Sequence, residues 1–335
     1  MKAMVYTESG GTDVLHMTER PVPEPGRGEV RVRVRFSAVN PTDVKSRQAT
    51  TPPAPQVPNQ DGSGLVDAIG PGVTGVAVGD PVWVWDAAYQ RPDGTAQEQV
   101  VLPQQQVVRL PDGVPLEVGA SLGVPARTAH RCLTVAEWAP AELAPGALAG
   151  RAVLVSGGAG AVGHAAIQLA RWAGARVIAT VSTPDKAALA EAAGAHHVVS
   201  YRDPDAADQI RGIVPGGVDA IVEVAAAANA TLDTAVVGAD AAIAIYAGTE
   251  GDELIVPVRA HMAPNTRFQF VLLYTEPDEA KRAGVRAVTA AAADGALPVG
   301  REAGLPLHVF ALEQAAQAHA AVEAGTTGKV LIEVG

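Results

Sequence analysis

A glycine-rich turn between an apolar strand and an alanine-rich helix constrains the fold more than any other feature of the sequence. In VLVSGGAGAVGHAAIQLARWAG, residues 153–174, Gly158, Gly160 and Gly163 satisfy G-x-G-x-x-G directly after the strand. In such a turn the first glycine permits a tight bend, the second lets a pyrophosphate approach the backbone, and the third lets the helix pack on the strand. Free N–H groups and the helix dipole favour an anion there. The alternative is an ordinary strand-to-helix turn.

The pattern around this turn favours the dinucleotide interpretation, because strands and helices alternate from about residue 120 onward. Alanine-rich segments of helical length separate apolar runs at 153–155, 176–181, 197–199, 218–224 and 241–247. Residues 1–110 instead show short strands broken by turn dipeptides, which predicts a mostly β region. A chain of 335 residues is long enough that two domains are expected.

Composition and charge exclude several classes of protein. Hydrophobic residues make up 48% of the chain and charged residues 18%, which is typical of a globular protein. The formal net charge of -11 repels the phosphate backbone of nucleic acids. Cys132 is the only cysteine, so an internal disulfide and a cysteine-rich zinc site are excluded. No apolar run approaches the roughly 18 residues of a membrane span, and the start MKAMVYTE lacks a signal-peptide core. We expect a cytoplasmic protein without nucleic-acid or membrane partners.

The residues that follow the second strand favour NADPH over NADH. An NAD site usually has an acid at the end of this strand, about 20 residues past the glycine motif. Val181 or Ser182 stands at that position, and neither is acidic. Lys186 comes soon after Ser182, and Tyr201 follows the third strand. The Lys186 ammonium and the hydroxyls of Ser182 and Tyr201 would suit a 2'-phosphate. The alternative is that Lys186 is a solvated helix residue and Tyr201 a core phenol.

Several further stretches give the chain a specific resemblance. They are AVNPTDVKSR, NQDGSGLVDAIGPGV, VGDPVWV, GVPARTAHRCL, AGAHHVVSYRD and AVEAGTTGKVLIEV, together with the glycine turn. The chain resembles the zinc-independent (zeta-crystallin-like) quinone oxidoreductases of the medium-chain dehydrogenase/reductase superfamily over nearly its full length. The resemblance implies an α/β protein: a Rossmann doubly wound parallel sheet plus a GroES-like, mostly β catalytic domain.

The resemblance also implies domain boundaries and a location for the active site. Residues 1–124 would form the GroES-like domain, with 266–335 returning to it, and 125–265 would form the Rossmann NADPH-binding domain. The active site would lie in a cleft between them. The expected cofactor-contacting residues are Thr128, Gly158, Gly160, Ala161, Val162, Gly163, Ser182, Lys186 and Tyr201.

The residues at the metal positions of related enzymes predict that no metal takes part. In the zinc-dependent alcohol dehydrogenases of the superfamily, three catalytic ligands fall at positions that correspond here to Asn40, Gln60 and Val124. None of these is a plausible zinc ligand. Without a Lewis acid, reversible alcohol oxidation is disfavoured. Hydride delivery to an already electron-poor carbon remains feasible, which suits quinones and α,β-unsaturated carbonyl compounds.

Candidate catalytic residues come from the motifs NPTD and NQDG. Asn40, Asp43 and Gln60 are candidate carbonyl-binding groups, as are Asp61 and Thr128; the alternative is that Asn40 and Asp43 only organise a turn before a helix. Quinone oxidoreductases commonly carry a tyrosine two residues after the Asp, where this chain has Lys45. Lys45 is a candidate proton donor, since a partly buried lysine can have its pKa lowered. A merely solvated cation is the alternative.

The sequence therefore predicts an NADPH-dependent, metal-free oxidoreductase acting on a quinone or an α,β-unsaturated carbonyl compound. One alternative is a pathway-specific enoyl reductase acting on a bulky biosynthetic intermediate. Another is an NADPH-binding protein with little turnover.

The apolar strand FQFVLLY, residues 268–274, predicts a homodimer. An exposed edge strand is an aggregation liability unless it is paired, and in the family that the chain resembles the matching strand pairs with its copy. The alternative is a strand buried within one subunit.

Overall fold

The computed structural model describes residues 1–335, which divide into two compact units. The first unit contains Met1–Val124 and Pro306–Gly335, and the second contains Pro125–Leu305. The first unit is thus built from two separate stretches of the chain, with the whole second unit inserted between them.

Strands and helices cover most of both units. The strands are β1 (Lys2–Val5), β2 (His16–Glu19), β3 (Glu29–Val39), β4 (Asp61–Ile69), β5 (Pro81–Val84), β6 (Gln99–Pro103), β7 (Val107–Arg109), β8 (Ala152–Ser156), β9 (Arg176–Val181), β10 (His197–Ser200), β11 (Val218–Glu223), β12 (Val237–Ile245), β13 (Arg267–Phe270), β14 (Leu307–Ala311) and β15 (Lys329–Glu333). The helices are α1 (Pro41–Ala49), α2 (Leu116–Gly119), α3 (Arg127–Leu133), α4 (Ala161–Trp172), α5 (Pro184–Ala192), α6 (Ala206–Ile213), α7 (Ala226–Val236), α8 (Val258–Met262), α9 (Asp278–Ala293) and α10 (Ala315–Glu323). No helix is both long and apolar enough to cross a bilayer.

The first unit is built around one mostly antiparallel sheet in the order β14-β15-β3-β4-β5-β7, with β6 also paired to β3. The long strand β3 organises it, because β15, β4 and β6 all pair with β3. Burial alternates along its sequence: Val32 and Val34 are buried, whereas Arg33 is exposed. This period of two places one face of the strand in the core.

The second unit contains a six-stranded parallel sheet in the order β10-β9-β8-β11-β12-β13. The predicted apolar runs correspond to β8 to β12, and the order reverses direction beside β8, as in a doubly wound fold. These strands read as continuous apolar runs because helices cover parallel sheets on both faces. The predicted fold class, a doubly wound parallel sheet plus a mostly β domain, is confirmed.

The predicted return of the chain to the first unit at residue 266 is wrong for residues 266–305. Strand β13 pairs in parallel with β12, from Ala242 with Arg267 to Ile245 with Phe270. Helix α9 then packs against α3 and α4 of the same unit. Main-chain pairing and helix packing therefore hold this segment in the second unit, and the chain returns only at Pro306.

Strand β13 is the edge of the parallel sheet, and it is shorter than FQFVLLY predicts. It ends at Phe270, because a 3-10 turn forms at Leu273–Thr275. Phe270 is 66% exposed and Leu272 is 59% exposed. The end of this edge therefore presents large apolar side chains to the surface.

Candidate active site

The start of helix α1 brings two of the predicted catalytic residues together. In NPTD, Asn40 is the residue before the helix, Pro41 takes the first helical position, and Asp43 the third, a favourable helix-starting sequence. The Asn40 N–H donates to Asp43 Oδ2 at 2.7 Å, and the Gln60 N–H donates to Asp43 Oδ1 at 3.1 Å. The Asp43 carboxylate thus fastens the segment before β4 to the first turn of α1.

The side chain of Asn40 lies in a buried polar cluster that also contains Asp43, Asp61 and Lys329, here called the Asn40 cluster. Asn40 Oδ1 accepts a hydrogen bond from Lys329 Nζ at 2.5 Å, and Asn40 Nδ2 donates to Asp61 Oδ2 at 2.9 Å. Asp61 Oδ2 also accepts the Val124 N–H at 2.8 Å. All four side chains of the cluster are buried. Asn40 therefore holds other residues in place rather than facing open space.

The residue before Val124 must be glycine for this cluster to form. A Cβ atom on Gly123 would lie 2.1 Å from Asp61 Oδ1 and 2.3 Å from Asp61 Cγ. The backbone at residue 123 therefore approaches the Asp61 carboxylate more closely than any larger residue permits. This close approach lets the Val124 N–H reach the same carboxylate.

Burial of two carboxyls and one ammonium shifts their proton affinities. Burial raises the pKa of Asp43 to about 7, and the neighbouring Asp61 charge adds to the shift. Burial also raises the pKa of Asp61 to about 6, against the opposing effect of the Lys329 charge. Burial lowers the pKa of Lys329, while the two carboxylates raise it. The cluster therefore holds a proton that titrates near neutral pH.

A cavity of about 190 Å³ opens beside the cluster, entirely within the first unit. Asp43 and Gln60 line it, together with Tyr6, Ser46 and residues of the proline-rich segment 50–58. Pro52, Pro53, Gln56 and Pro58 of this proline-rich segment thus lie at the wall of the cavity. Gln60 is held there because its Oε1 accepts the Ala88 N–H at 3.1 Å. Of the predicted catalytic residues, the structure thus places Asp43 and Gln60 at the cavity and Asn40 next to them.

The proton-donor hypothesis for Lys45 requires a partly buried lysine, and the structure does not provide one. Lys45 is exposed on α1, whereas Asp43 and Val44 of the same helix are buried. The role of Lys45 as a proton donor therefore stays a prediction, and its side chain is exposed rather than partly buried.

The glycine turn has the shape needed for a pyrophosphate, and only the role predicted for its first glycine differs. The left-handed conformation belongs to Gly157, with φ of 67°, rather than to Gly158. A Cβ on Gly163 would lie 2.3 Å from the Gly157 carbonyl oxygen, so the helix packs tightly on the turn. A Cβ on Gly160 would meet nothing closer than 3.4 Å, which leaves open space above the turn.

Helix α4 begins directly after this space. Gly160 is its N-cap, and the first helical residues are Ala161, Val162 and Gly163. The main-chain N–H groups of a first helical turn have no partner within their helix and favour an anion. The residues present therefore fit a dinucleotide phosphate.

The residues predicted for the adenosine ribose lie at the ends of two neighbouring strands. Ser182 follows β9 and Tyr201 follows β10, and the Tyr201 N–H donates to the Val181 carbonyl at 3.1 Å. Tyr201 is 43% exposed, so it is not a core phenol. Lys186 lies in the first turn of α5, where its N–H donates to the Thr183 hydroxyl at 3.3 Å, and its ammonium has no partner within the chain. These groups remain available to a ligand.

Two other groups of the second unit lie on elements that neighbour α4 and β8. Thr128, predicted to contact the cofactor, is buried in α3, which packs against α4. Sequence analysis missed Glu223 at the end of β11, whose carboxylate accepts from Asn229 Nδ2 at 3.0 Å; the same Nδ2 donates to Ser156 at 3.0 Å. These hydrogen bonds join the ends of β8 and β11. In the sequence, only an acidic residue at the carboxyl end of a predicted strand could have indicated them.

A larger surface depression of about 390 Å³ lies elsewhere in the second unit. Arg211, Gly216 and Thr234 line it near the start of β11 and β12, at the opposite end of the sheet from the glycine turn. The Arg211 guanidinium is already bound to main-chain carbonyls, including Ala235 at 2.8 Å and Val237 at 2.9 Å. The depression therefore lacks free polar groups that would mark it as the reaction site.

The three positions that carry zinc in related enzymes do not form a zinc site here. Val124 has no donor side chain, and Gln60 Oε1 accepts an N–H group. Asn40 Oδ1 already accepts a hydrogen bond from the Lys329 ammonium. A metal ion bound to the same oxygen would be repelled by that positive charge. The donor set therefore does not fit zinc.

Comparison with known proteins shows two family matches. Residues 26–112 match the family described as "Alcohol dehydrogenase GroES-like domain", and residues 161–290 match the family described as "Zinc-binding dehydrogenase". A quinone oxidoreductase of Lama guanicoe is 30% identical over 339 residues, covering 99% of this chain and 97% of that protein.

Solved structures give full-length matches. The structure of an NAD-dependent alcohol dehydrogenase has a TM-score of 0.85 and 30% identity, and the match covers 100% of both chains. The structure of a mycobacterial protein complexed with NADPH has a TM-score of 0.80 and 29% identity, with 99% of both chains covered.

The raised pKa of Asp43 predicts how stability depends on pH. Because the pKa rises from 3.8 in the unfolded chain to about 7, the native chain keeps a proton that the unfolded chain has lost. This contribution to stability is complete below about pH 4 and is lost as pH rises through about 7. Asp43→Asn removes it. Between pH 5 and 8, the free energy of unfolding of the wild type should fall more than that of the variant, by about 1 kcal/mol or more.

Urea unfolding at intervals between pH 5 and 8 measures this difference in slope. The buried histidines titrate alike in both proteins and cancel in the comparison. Asp112→Asn, at a surface ion pair with Arg109, is the control and should leave the slope unchanged. Parallel pH profiles for the wild type and Asp43→Asn would contradict the assignment.

Proposed function

Since the chain belongs to the quinone oxidoreductase family of the medium-chain dehydrogenase/reductase superfamily and is an oxidoreductase, we propose that it reduces quinones or α,β-unsaturated carbonyl compounds with NADPH and without a metal ion. The Asn40 cluster carries this proposal. Where a metal enzyme of the superfamily has zinc ligands, this chain has an internally satisfied network of Asn40, Asp61 and Lys329. Such a network organises the backbone around a substrate without binding a Lewis acid.

The proposal for NADPH rests on the two ends of the dinucleotide site. The first turn of α4 would hold the pyrophosphate through the N–H groups of Ala161, Val162 and Gly163. Ser182, Lys186 and Tyr201 would hold a 2'-phosphate, because a free ammonium and two hydroxyls match its charge. The relative complexed with NADPH supports this choice, whereas the NAD-dependent relative shows that the fold also serves NAD. When bound, the reduced nicotinamide supplies hydride.

The chain's own residues would serve the carbonyl end of the substrate. Negative charge develops on the carbonyl oxygen as its conjugated carbon is reduced, and fixed hydrogen-bond donors stabilise that charge. Gln60 lines the cavity as such a donor, with its Oε1 held by Ala88. Asp43 lies beside it with a proton that titrates near neutral pH. Asn40 acts as a positioning residue, since its amide binds Asp61 and Lys329.

The central prediction is metal-independent reduction. Purified protein should contain no stoichiometric zinc, and NADPH oxidation with small quinones and enones should proceed unchanged after treatment with a chelator. Simple alcohols with NADP+ should be poor substrates, because no cation stabilises an alkoxide. Steady-state rates for both reactions, with and without chelator, measure this.

Chelator-sensitive alcohol oxidation would overturn the proposal. Turnover with large enones alone would favour the pathway-specific enoyl reductase. Tight NADPH binding without turnover of any quinone or enone would favour a binding protein with little turnover.

Cofactor preference gives a second prediction. A hydrogen bond to a charged group contributes about 1.5 to 3 kcal/mol, so Lys186→Ala should weaken NADPH binding about tenfold or more and NADH binding little. Fluorescence titration of both reduced cofactors measures the two dissociation constants. Lys2→Ala, which removes a surface ion pair with Glu313 in the first unit, is the control. An equal loss for both cofactors would reject the 2'-phosphate assignment.

The exposed edge β13 supports the proposal of a homodimer in which this strand pairs with its copy. Phe270 and Leu272 on or next to the edge are exposed, as are Val258 and Met262 of α8. We expect a dimer by sedimentation velocity at micromolar concentration. Phe270→Lys should shift the population toward monomer, because a charge on an edge strand opposes pairing. Val309→Lys, on β14 of the first unit, is an exposed apolar control that should stay dimeric. A monomeric wild type would reject the dimer.

A further inference from the structure

Tyr6 is fixed at the cavity beside the Asn40 cluster, although no motif marks it. It follows β1 and forms a two-way bridge with Gln56: the Tyr6 N–H donates to the Gln56 carbonyl at 3.0 Å, and the Gln56 N–H donates back at 2.9 Å. This bridge holds the Tyr6 backbone against the proline-rich segment. The side chain is 6% exposed and lines the cavity together with Asp43 and Gln60.

The hydroxyl of Tyr6 is an unused hydrogen-bond donor. A buried tyrosine hydroxyl usually finds a partner, but none of the hydrogen bonds within the chain involves Tyr6 Oη, and this oxygen is not among the fully enclosed unpartnered atoms. It therefore keeps access to open space, and the cavity that the side chain lines provides that space. Both Asp43 oxygens already accept main-chain N–H groups, from Asn40 and Gln60.

The charges around Tyr6 keep its hydroxyl protonated. Burial raises the pKa of Tyr6, and the nearby Asp43 charge raises it further, whereas Arg47 opposes the shift. Arg47 is engaged elsewhere, since its guanidinium donates to the Gly10 carbonyl at 2.7 Å and pairs with Glu323. A protonated phenol donates a hydrogen bond but resists losing its proton.

The cavity is large enough for a single ring. A dry cavity of about 150 Å³ is known to hold benzene, so about 190 Å³ accommodates one six-membered ring. The Nε2 group of Gln60 also lacks a partner within the chain, while its Oε1 is held by Ala88. A carbonyl oxygen on such a ring would therefore meet two side chains with free donors, Tyr6 and Gln60.

We propose that one ring of a quinone or cyclic enone occupies this cavity and that the Tyr6 hydroxyl donates a hydrogen bond to its carbonyl oxygen. The substrate class in this inference rests on the proposed function. The hydrogen bond orients the ring and opposes the negative charge that develops on the oxygen during reduction.

Tyr6→Phe removes the hydroxyl and keeps the ring. Cyclohex-2-enone is the probe, and its equilibrium binding to the wild type and the variant is measured by calorimetry without NADPH, where no turnover occurs. Tyr6→Phe should weaken binding about three- to tenfold, the range for one neutral hydrogen bond, and raise KM for the enone with NADPH by a similar factor. Tyr274→Phe, a buried tyrosine of the second unit, is the matched control and should bind as the wild type does.

A second variant tests the cavity itself. Ala88→Leu enlarges a lining side chain and leaves the main-chain N–H that holds Gln60. It should abolish enone binding without changing NADPH affinity. Unchanged enone binding in Ala88→Leu would overturn the assignment of the ring to this cavity.

The binding measurement separates failure of this inference from failure of the proposed function. Equal enone affinity of Tyr6→Phe and wild type overturns the role of Tyr6, even when the wild type reduces the enone. Weakened binding in Tyr6→Phe supports that role, even when no enone is reduced, and absence of reduction then counts against the proposed function alone. A wild type that does not bind the enone overturns the inference.

Discussion

The contact between the buried Lys329 ammonium and Asn40 is the interaction on which the candidate site depends. An unpaired charge inside a protein is costly, so Lys329 requires the Asn40 oxygen and the nearby carboxylates. Asn40 in turn requires Asp61, and Asp61 requires the close approach of Gly123. Lys329 lies on β15, Asp61 lies on β4, and Asn40 directly precedes α1. One buried cation thus aligns the backbone segments that surround the cavity.

Much of the fold was predictable because it depends on local patterns. The period of two in β3, the continuous apolar runs of the parallel strands and the glycine turn before α4 are each visible within a few residues. The boundary near residue 266 was missed, because which sheet β13 joins depends on its pairing with β12 rather than on its own sequence. The left-handed residue of the turn was also missed, since two adjacent glycines, Gly157 and Gly158, both allow that conformation.

The candidate site was predictable only in part, for a different physical reason. Asn40, Asp43 and Gln60 stand in recognisable motifs, but their neighbours do not. Lys329 lies 289 residues from Asn40 and reads as the start of an ordinary strand. Tyr6 comes from the opposite end of the chain, and its sequence context resembles the end of an ordinary strand. The exposure of Lys45 was also not predictable, because spacing along α1 does not reveal which face of the helix is buried.

The division of the first unit into two stretches has a consequence for how the chain is made. Residues 1–124 leave the ribosome first. Strand β3 can pair with β15 only after the inserted second unit has been synthesised. Until then Asn40 and Asp61 lack their buried cation, and Phe36–Val39 of β3 lack the partner strand that β15 provides. Because domains generally fold as units during synthesis, the parallel-sheet unit can fold while the first unit remains incomplete. The cavity therefore belongs to the part of the protein that is completed last.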